Sequence, residues 1–329
     1  MPRLILAPME GLADDVLRDV LTRTGSYDWC VTEFVRVTGT VLPHSSYRRL
    51  SPELKNASRT PGGTPTRVQL LGSDPEMMAR NAAHLARMRP AGIDINFGCP
   101  APLVNRHGGG AALLGEPELL HAIVSAVRLA VPQDIPVTAK MRLGIEDTSR
   151  ALDCALALEA GGAESIVVHA RTKRDGYKPP ARWEWLRHIR ETLRVPLIAN
   201  GEVWTLADYI GIRDVSGCDD VMLGRGAVAD PLLATRIRRW LGGENVQSTD
   251  AADWDEVRQF ISCFWHRVND KLPARHTPGR LKQWLGLMQR SYPQAEALYV
   301  ALREMRSVEA IECVLRTHGI DVITEPAAA

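Results

Sequence analysis

Cys99 is the residue whose surroundings in this 329-residue chain most clearly invite chemistry. It stands in Asn96-Phe97-Gly98-Cys99-Pro100, at the head of a Pro- and Gly-rich stretch that runs to Leu114 and follows an apolar run. Cysteine is commonly buried as a small hydrophobe, so its plain structural reading is a packed thiol. A polar loop between Gly98 and Pro100 argues for reactivity instead. A thiol there would act as a nucleophile or as a proton donor, since at neutral pH it is mostly protonated. The other cysteines (30, 154, 218, 263 and 313) lie in or beside helical or strand-like runs and read as structural.

Further polar residues stand where apolar runs end: Met9-Glu10, Gln69, Asn96, Lys140 and Arg142, His169 and Arg171, Asn200-Gly201-Glu202, and Gly224-Arg225-Gly226. One Lys or His in an apolar strand is most simply a satisfied structural residue. Such groups at so many run ends in one chain point to a shared site. The turns at 200–202 and 224–226 offer backbone N–H groups to an anion such as a cofactor phosphate, although glycine in a turn also has a purely conformational reading. A metal site is not expected, because the nine histidines are scattered and no H-x-x-H, H-E-x-x-H or C-x-x-C pattern occurs. Neither a G-x-S-x-G elbow nor a Walker loop is present.

The elements that must carry these residues are short β-branched runs alternating with amphipathic stretches, the pattern of a parallel α/β protein. The runs are 4–9, 30–37, 66–72, 92–98, 136–144, 165–171, 196–203 and 220–226, and clear helical stretches fall at 75–88, 117–131 and 149–161. Eight such units predict a (β/α)8 TIM barrel, whose reactive residues gather at the C-terminal ends of the strands. The competing doubly wound sheet lacks its G-x-G-x-x-G after the first run. Beyond Trp240 only helical periodicity remains, at 254–270, 279–290, 294–305 and 307–318. The expected division is a barrel over 1–241, a Gly- and polar-rich linker over 242–253, and a small all-helical domain over 254–329 that ends in the frayed tail EPAAA.

Composition is that of an ordinary globular protein, with 45% hydrophobic and 24% charged residues, and excludes a disordered or fibrous chain. The first residues form no signal peptide and no run is long enough to span a bilayer, so a soluble cytoplasmic protein is expected. The formal charge is only +1. Local stretches are nevertheless basic: Arg36, Arg48, Arg49, Lys55, Arg59 and Arg67 stand against Glu53 alone, and the seven cations of 258–290 against Asp270 alone. A third stretch, 171–190, sets seven cations against Asp175 and Glu184. Each alone reads as a solvated face; together they are able to line a path for a polyanion.

The motifs resemble one family, the flavin-dependent tRNA-dihydrouridine synthases. The matching pieces are LAPMEG (6–11), TEFVRV (32–37), RVQLLG (67–72), DINFGCPAPLVNRHGGGAALL (94–114), PVTAKMRLG (136–144), VVHARTKRDGY (168–177), PLIANGEV (196–203) and VMLGRGA (221–227). Glu10, TEFVRV, NASRTPGGT (56–64) and RLKQWL (280–285) are similar to the bacterial C subfamily, which modifies uridine 16 of the D-loop. The resemblance implies a TIM barrel carrying FMN, NADPH as reductant and a helical domain that holds tRNA, with neither membrane nor obligate protein partner. It implies that Pro8, Met9, Glu10, Gln69, Lys140 and His169 border the flavin and that Asn200, Gly201, Glu202, Gly224 and Arg225 hold its phosphate end. Asn96 and Tyr177 would meet the uridine, Arg36, Arg280 and Lys282 would contact tRNA, and Cys99 would protonate C5 after hydride reaches C6. Many members have a lysine shortly after the Cys-Pro pair where this chain has Ala101-Pro102-Leu103, a loss for which Arg106 is a candidate replacement. Two other readings remain at this point: a flavin barrel acting on a small molecule, in the manner of dihydroorotate dehydrogenase or the ene-reductases, and a non-catalytic RNA-binding barrel.

Overall fold

The computed structural model describes residues 1–246 and 251–322. Eight parallel strands close into one barrel in sequence order: β1 (Leu4–Leu6), β2 (Trp29–Arg36), β3 (Thr66–Leu71), β4 (Ile93–Phe97), β5 (Val137–Arg142), β6 (Ile166–His169), β7 (Leu197–Asn200) and β8 (Val221–Leu223). Closure comes from β8 pairing back on β1, with Leu4 opposite Val221 and Leu6 opposite Leu223. The doubly wound alternative is thereby excluded.

Among the described residues ten helices accompany the strands: α1 (Asp15–Thr22), α2 (His44–Leu50), α3 (Pro75–Ala86), α4 (Pro102–Arg106), α5 (Pro117–Ala130), α6 (Ala151–Ala160), α7 (Trp183–Thr192), α8 (Leu206–Ser216), α9 (Arg225–Ala229) and α10 (Leu233–Leu241). Four more follow: α11 (Ala251–Lys271), α12 (Thr277–Met288), α13 (Pro293–Leu302) and α14 (Val308–Thr317). Local chemistry sets several boundaries. The Asp14 and Asp74 carboxylates cap α1 and α3, and Thr205 with Asp208 forms a reciprocal capping box on α8. Gly217 ends α8 in the left-handed conformation at φ 69°.

Side chains alternate across each strand, so one face of every strand packs on the helices and the other fills the barrel. The interior apolar layer is Ile5, Ala7, Trp29, Val31, Val167, Ile198 and Met222. Trp29, at the start of β2, is flanked by the guanidinium groups of Arg67 at 4.1 Å and Arg3 at 5.4 Å, which seals the N-terminal end of the barrel. With that end filled, the opposite mouth is left for polar residues.

Two expectations change in detail. The stretch after Cys99, read as loop, contains α4 and a 3-10 turn at Gly110–Gly115, because Pro102 suits the first position of a short helix as well as it suits a loop. Helix α11 begins at Ala251, inside the expected linker, while linker residues 247–250 and the tail EPAAA lie outside the described residues. Helices α11 to α14 are also sealed against the barrel. Trp284 Nε1 donates to the Val228 carbonyl at 2.9 Å, and Tyr292 Oη donates to Asp230 at 2.6 Å, with Arg236 completing a buried network.

Candidate active site

A cavity of about 320 Å³ opens where the C-terminal ends of the strands meet. Its wall includes Pro8, Met9 and Glu10 after β1, Gln69 in β3, Asn96 and Cys99 from β4 onward, Lys140 and Arg142 in β5, and His169 in β6. Tyr177, Asn200, Gly201, Glu202, Gly224 and Arg225 complete the set named from sequence. Arg36, Arg280 and Lys282 are not part of it.

Cys99 is half-buried beside the cavity. Its backbone N–H and that of Gly98 both donate to Asn96 Oδ1 at 2.9 Å, and its carbonyl accepts from Ala111 N at 3.0 Å and Asn105 Nδ2 at 2.9 Å. Burial pushes the thiol above its ordinary pKa, with Glu10 adding in the same direction, so the sulfur keeps its proton at neutral pH.

Positive charge dominates the floor. Lys140 Nζ donates to Asn200 Oδ1 at 3.1 Å, and Asn200 Nδ2 donates to the Met222 carbonyl at 2.8 Å, so two strands hold the ammonium group in place. Burial, with Arg142 nearby, lowers the Lys140 pKa to about 8. Arg142 donates to the carbonyls of Gly98, Thr172 and Gly176, each at 2.9 Å, and ties the Cys99 loop to the β6 loop. His169 is driven well below the usual histidine range by burial and then by Arg142, Lys140, Arg171 and Arg225. Its ring is therefore neutral. An arginine can only donate, so the 3.3 Å contact from Arg171 Nη1 makes His169 Nε2 the acceptor and leaves the proton on Nδ1.

The β7 turn is shaped for this crowding. Gly201 has φ 121°, and a Cβ there would come within 2.8 Å of the His169 ring, which excludes any side chain. Glu202 follows at φ 63°, a conformation unusual for a non-glycine residue, and is held by an ion pair with buried Arg171 and a 2.9 Å hydrogen bond from Trp204 Nε1. At the rim the Arg225 guanidinium lies between the Tyr177 ring at 4.6 Å and the Trp204 ring at 5.1 Å, and Arg290 of the segment after α12 covers Trp204 at 3.9 Å. Glu10, after β1, and Glu33, in β2, also line the cavity, both raised above the usual carboxylate range by burial first.

Sequence reasoning left Glu33 and Trp204 out of the site and gave Arg142 and Arg171 no role. The last two carried a usable signal: at two residues from Lys140 and His169, strand periodicity puts them on the same face. The outlying residues differ in condition. Arg36, at the end of β2, has no side-chain hydrogen bond or ion pair among the described residues. Arg280 instead pairs with Asp14 at 3.0 Å and donates to the carbonyls of Gly11 and Leu12 at 3.3 and 3.1 Å. Lys282 donates to the carbonyls of Arg303, at 3.0 Å, and Met305. In the free protein both side chains are therefore already engaged in packing of the helical segment.

A closed parallel barrel that gathers a thiol, a buried lysine and a neutral histidine at the C-terminal ends of its strands is built as a barrel enzyme is built. The sequence profile of the family described as dihydrouridine synthase (Dus) matches residues 5–309, and the chain belongs to that family. It is 54% identical over 328 residues to a tRNA-dihydrouridine(16) synthase of Ralstonia nicotianae, covering 100% of this chain and 99% of that one. A protein of the same name from Cupriavidus necator is 56% identical over 315 residues, covering 96% and 97% of the two chains. Among solved structures, a 2-naphthoyl-CoA reductase complex superposes with a TM-score of 0.55 over 74% of this chain and 50% of that one; at 12% identity the likeness is one of fold. No helix among the described residues is long and apolar enough to cross a membrane.

Proposed function

We propose that this chain reduces a uridine of the tRNA D-loop, at position 16, to 5,6-dihydrouridine in the cytoplasm, with FMN as bound cofactor and NADPH as reductant. The observation that carries the reading is that a protonated thiol shares one cavity with three cations, Lys140, Arg142 and Arg225, that form no ion pair among the described residues. The residues fit a phosphorylated flavin. The mouth offers fixed cations and an open turn at Gly224, where an added Cβ would meet only Ala7 at 3.9 Å. Pro8, Met9, Glu10 and Gln69 would border the ring system, and Asn200, Gly201, Glu202, Gly224 and Arg225 the phosphate end.

A flavin held there would supply the hydride for uracil C6, drawn in turn from NADPH. The rest of the work falls to the chain. Conjugation of C5=C6 with the C4 carbonyl leaves negative charge toward C5 and O4, and Cys99 delivers the proton that C5 needs. Lys140 would set positive charge beside the reduced cofactor, and neutral His169 would offer it a hydrogen-bonding ring without adding to the like charges of Arg142, Lys140, Arg171 and Arg225. Asn96, Arg142 and Tyr177 line the space a base would enter, and a stacked nucleotide has to be flipped out to reach it. The barrel of residues 1–241 then carries the chemistry and the helices from α11 onward the docking of tRNA. Arg36 contacts the RNA, Arg106 on exposed α4 takes over the missing lysine's contact, and Arg280 and Lys282 act by holding the helices in place.

The test is to load the purified protein with FMN and incubate it with NADPH and tRNA that lacks dihydrouridine. Dihydrouridine at position 16 is the expected product. In Cys99→Ala, reduction of the flavin by NADPH should persist while dihydrouridine formation falls by about 10² or more, the usual share of a positioned acid. A protein that takes up no FMN, or a Cys99→Ala variant with unimpaired tRNA reduction, would overturn the reading.

A further inference from the structure

The loop that carries Cys99 rests on a line of buried side chains that ends in a carboxylate. Asp94 in β4 is 1% exposed, and its oxygens accept from Thr138 Oγ1 at 2.6 Å and Gln69 Nε2 at 2.7 Å. Gln69, Asp94 and Thr138 are register partners on β3, β4 and β5, so the three form one layer across the barrel. Asn96 lies two residues further along β4, on the same face, and its Nδ2 donates to Gln69 Oε1 at 2.8 Å. Its Oδ1 then accepts from the backbone N–H groups of Gly98 and Cys99.

The order of donors and acceptors in this line is forced. An amide side chain has a donor end and an acceptor end, and by itself either end will face a neighbour. A carboxylate oxygen facing Gln69 admits only its NH2 end. Gln69 must then present Oε1 to Asn96, Asn96 must present Nδ2 in return, and the oxygen of Asn96 is left toward the Cys99 loop. Reversing the line would set NH2 against the two loop N–H groups, leaving buried donors unmatched. The Cys99 carbonyl is held separately by Ala111 and Asn105, so Asn96 is what fixes the amide side of the residue.

We propose that Asp94 is a positioning residue for the Cys99 thiol, acting through Gln69 and Asn96 to fix the direction of the two hydrogen bonds that Asn96 accepts from the Gly98 and Cys99 N–H groups. The inference rests on Cys99 being the proton donor to uracil.

Two variants test it in the FMN-loaded protein. The first readout is the rate at which iodoacetamide alkylates Cys99, followed by mass spectrometry of its peptide, because this involves no tRNA. The second is dihydrouridine formation compared with flavin reduction by NADPH. Asp94→Asn keeps an acceptor toward Gln69 and offers its NH2 to Thr138, so both readouts should stay within about threefold of the parent. Asp94→Leu is similar in size but lacks the acceptor. Its Cys99 alkylation rate should change at least tenfold and dihydrouridine formation should fall by up to about 10², the scale of a misplaced reacting group. Equal behaviour of Asp94→Asn and Asp94→Leu overturns the proposal.

Should Asp94→Leu fail to fold, the pair Asn96→Asp and Asp94→Asn/Asn96→Asp decides. The single change sets two carboxylates at either end of Gln69, whereas the double change lets the whole line run in reverse while an acceptor still faces the loop. Parent-like alkylation in the double variant but not in the single supports the proposal, and no recovery overturns it. Failure of the underlying reading looks different, since there Cys99→Ala itself reduces tRNA normally.

Discussion

Among the described residues Lys140, Arg142 and Arg225 at the barrel mouth form no ion pair, whereas at the seam between α1 and the helical segment three cations each meet a carboxylate. Arg267 pairs with Asp19 at 3.0 Å, Arg280 with Asp14 at 3.0 Å, and Lys271 with Asp15. The mouth therefore keeps cations without a direct ion partner, whereas each of these seam cations has one, Asp19 serving both Arg267 and Arg23. Unbalanced buried charge is costly in the empty protein and is repaid by an anionic ligand, while balanced charge joins elements and has little left for a ligand. A third condition appears in the 36–67 stretch. There Arg36, Arg48, Arg49 and Lys55 have no ion pair among the described residues, while Arg59 is bound to the Gly63 carbonyl and Arg67 lies over Trp29. Two stretches that look equally basic in the sequence thus differ in what they have to offer a polyanion.

The sharpest way to break this contrast is at Lys140. Its pKa lies near 8 instead of 10.5, so the unfolded chain binds more protons than the folded one between those values. Through this group, stability of the cofactor-free protein rises with pH from about 8 to 10.5, and below 8 the whole cost of burying the ammonium is present. Lys140→Met should therefore stabilise the cofactor-free protein at pH 7, by up to about 3 kcal/mol, while lowering FMN affinity about 10- to 100-fold. In the parent, FMN affinity should also decline as pH rises through 8, and the variant should lack that decline. Thermal melts without cofactor and fluorescence titrations of FMN across pH measure both. A destabilised variant that still binds FMN tightly would end the idea that charge at the mouth is held in reserve.

The surface stretch gives a smaller effect. Arg48→Ala, Arg49→Ala and Lys55→Ala combined should weaken tRNA binding and flatten a plot of log affinity against log salt by up to about 2.7 units if all three cations meet phosphates. FMN binding and NADPH oxidation should not change. If the slope is unaltered, freedom from partners is not what marks an RNA-binding cation in this chain.

Much of the barrel was legible because its signal is local. Runs such as Ile93–Phe97 and Ile166–His169 carry the strand pattern within a few residues, and Asn96, Lys140 and His169 stand at the ends where a barrel collects its reactive groups. What escaped was set by pairs far apart in sequence. Nothing local to Arg280 reveals that Asp14 will lie beside it, and nothing in NGE announces that Glu202 takes a left-handed backbone to reach Arg171. Charge counts along a chain record how many cations exist. Whether they are free is decided by packing, and α1 supplies three aspartates at the place where the helical segment docks.

Arg280 is where the contrast predicts the least change in chemistry. Its guanidinium is mostly covered and holds Asp14 together with the carbonyls of Gly11 and Leu12, which belong to the turn after β1. Gln283, one helical turn on, donates to the same Gly11 carbonyl at 2.9 Å, so part of the contact survives when the arginine is removed. Arg280→Ala strips Asp14 of its cation but leaves that carboxylate as the cap of α1, accepting from Leu17 N at 3.0 Å. The loss should thus be near 1 to 2 kcal/mol, as for a partly buried charged hydrogen bond, and not the larger penalty of a fully buried orphan charge. Melting temperature should fall by a few degrees, as expected for a domain of this size. The salt slope of tRNA binding should stay within about 0.3 units of the parent, against the near 0.9 expected for the loss of one phosphate contact. The measurement is a thermal melt beside tRNA binding at several salt concentrations. An unchanged melt with a slope flattened by a full contact would mean that Arg280 leaves Asp14 for a phosphate, and the seam would then count as part of the RNA-binding surface.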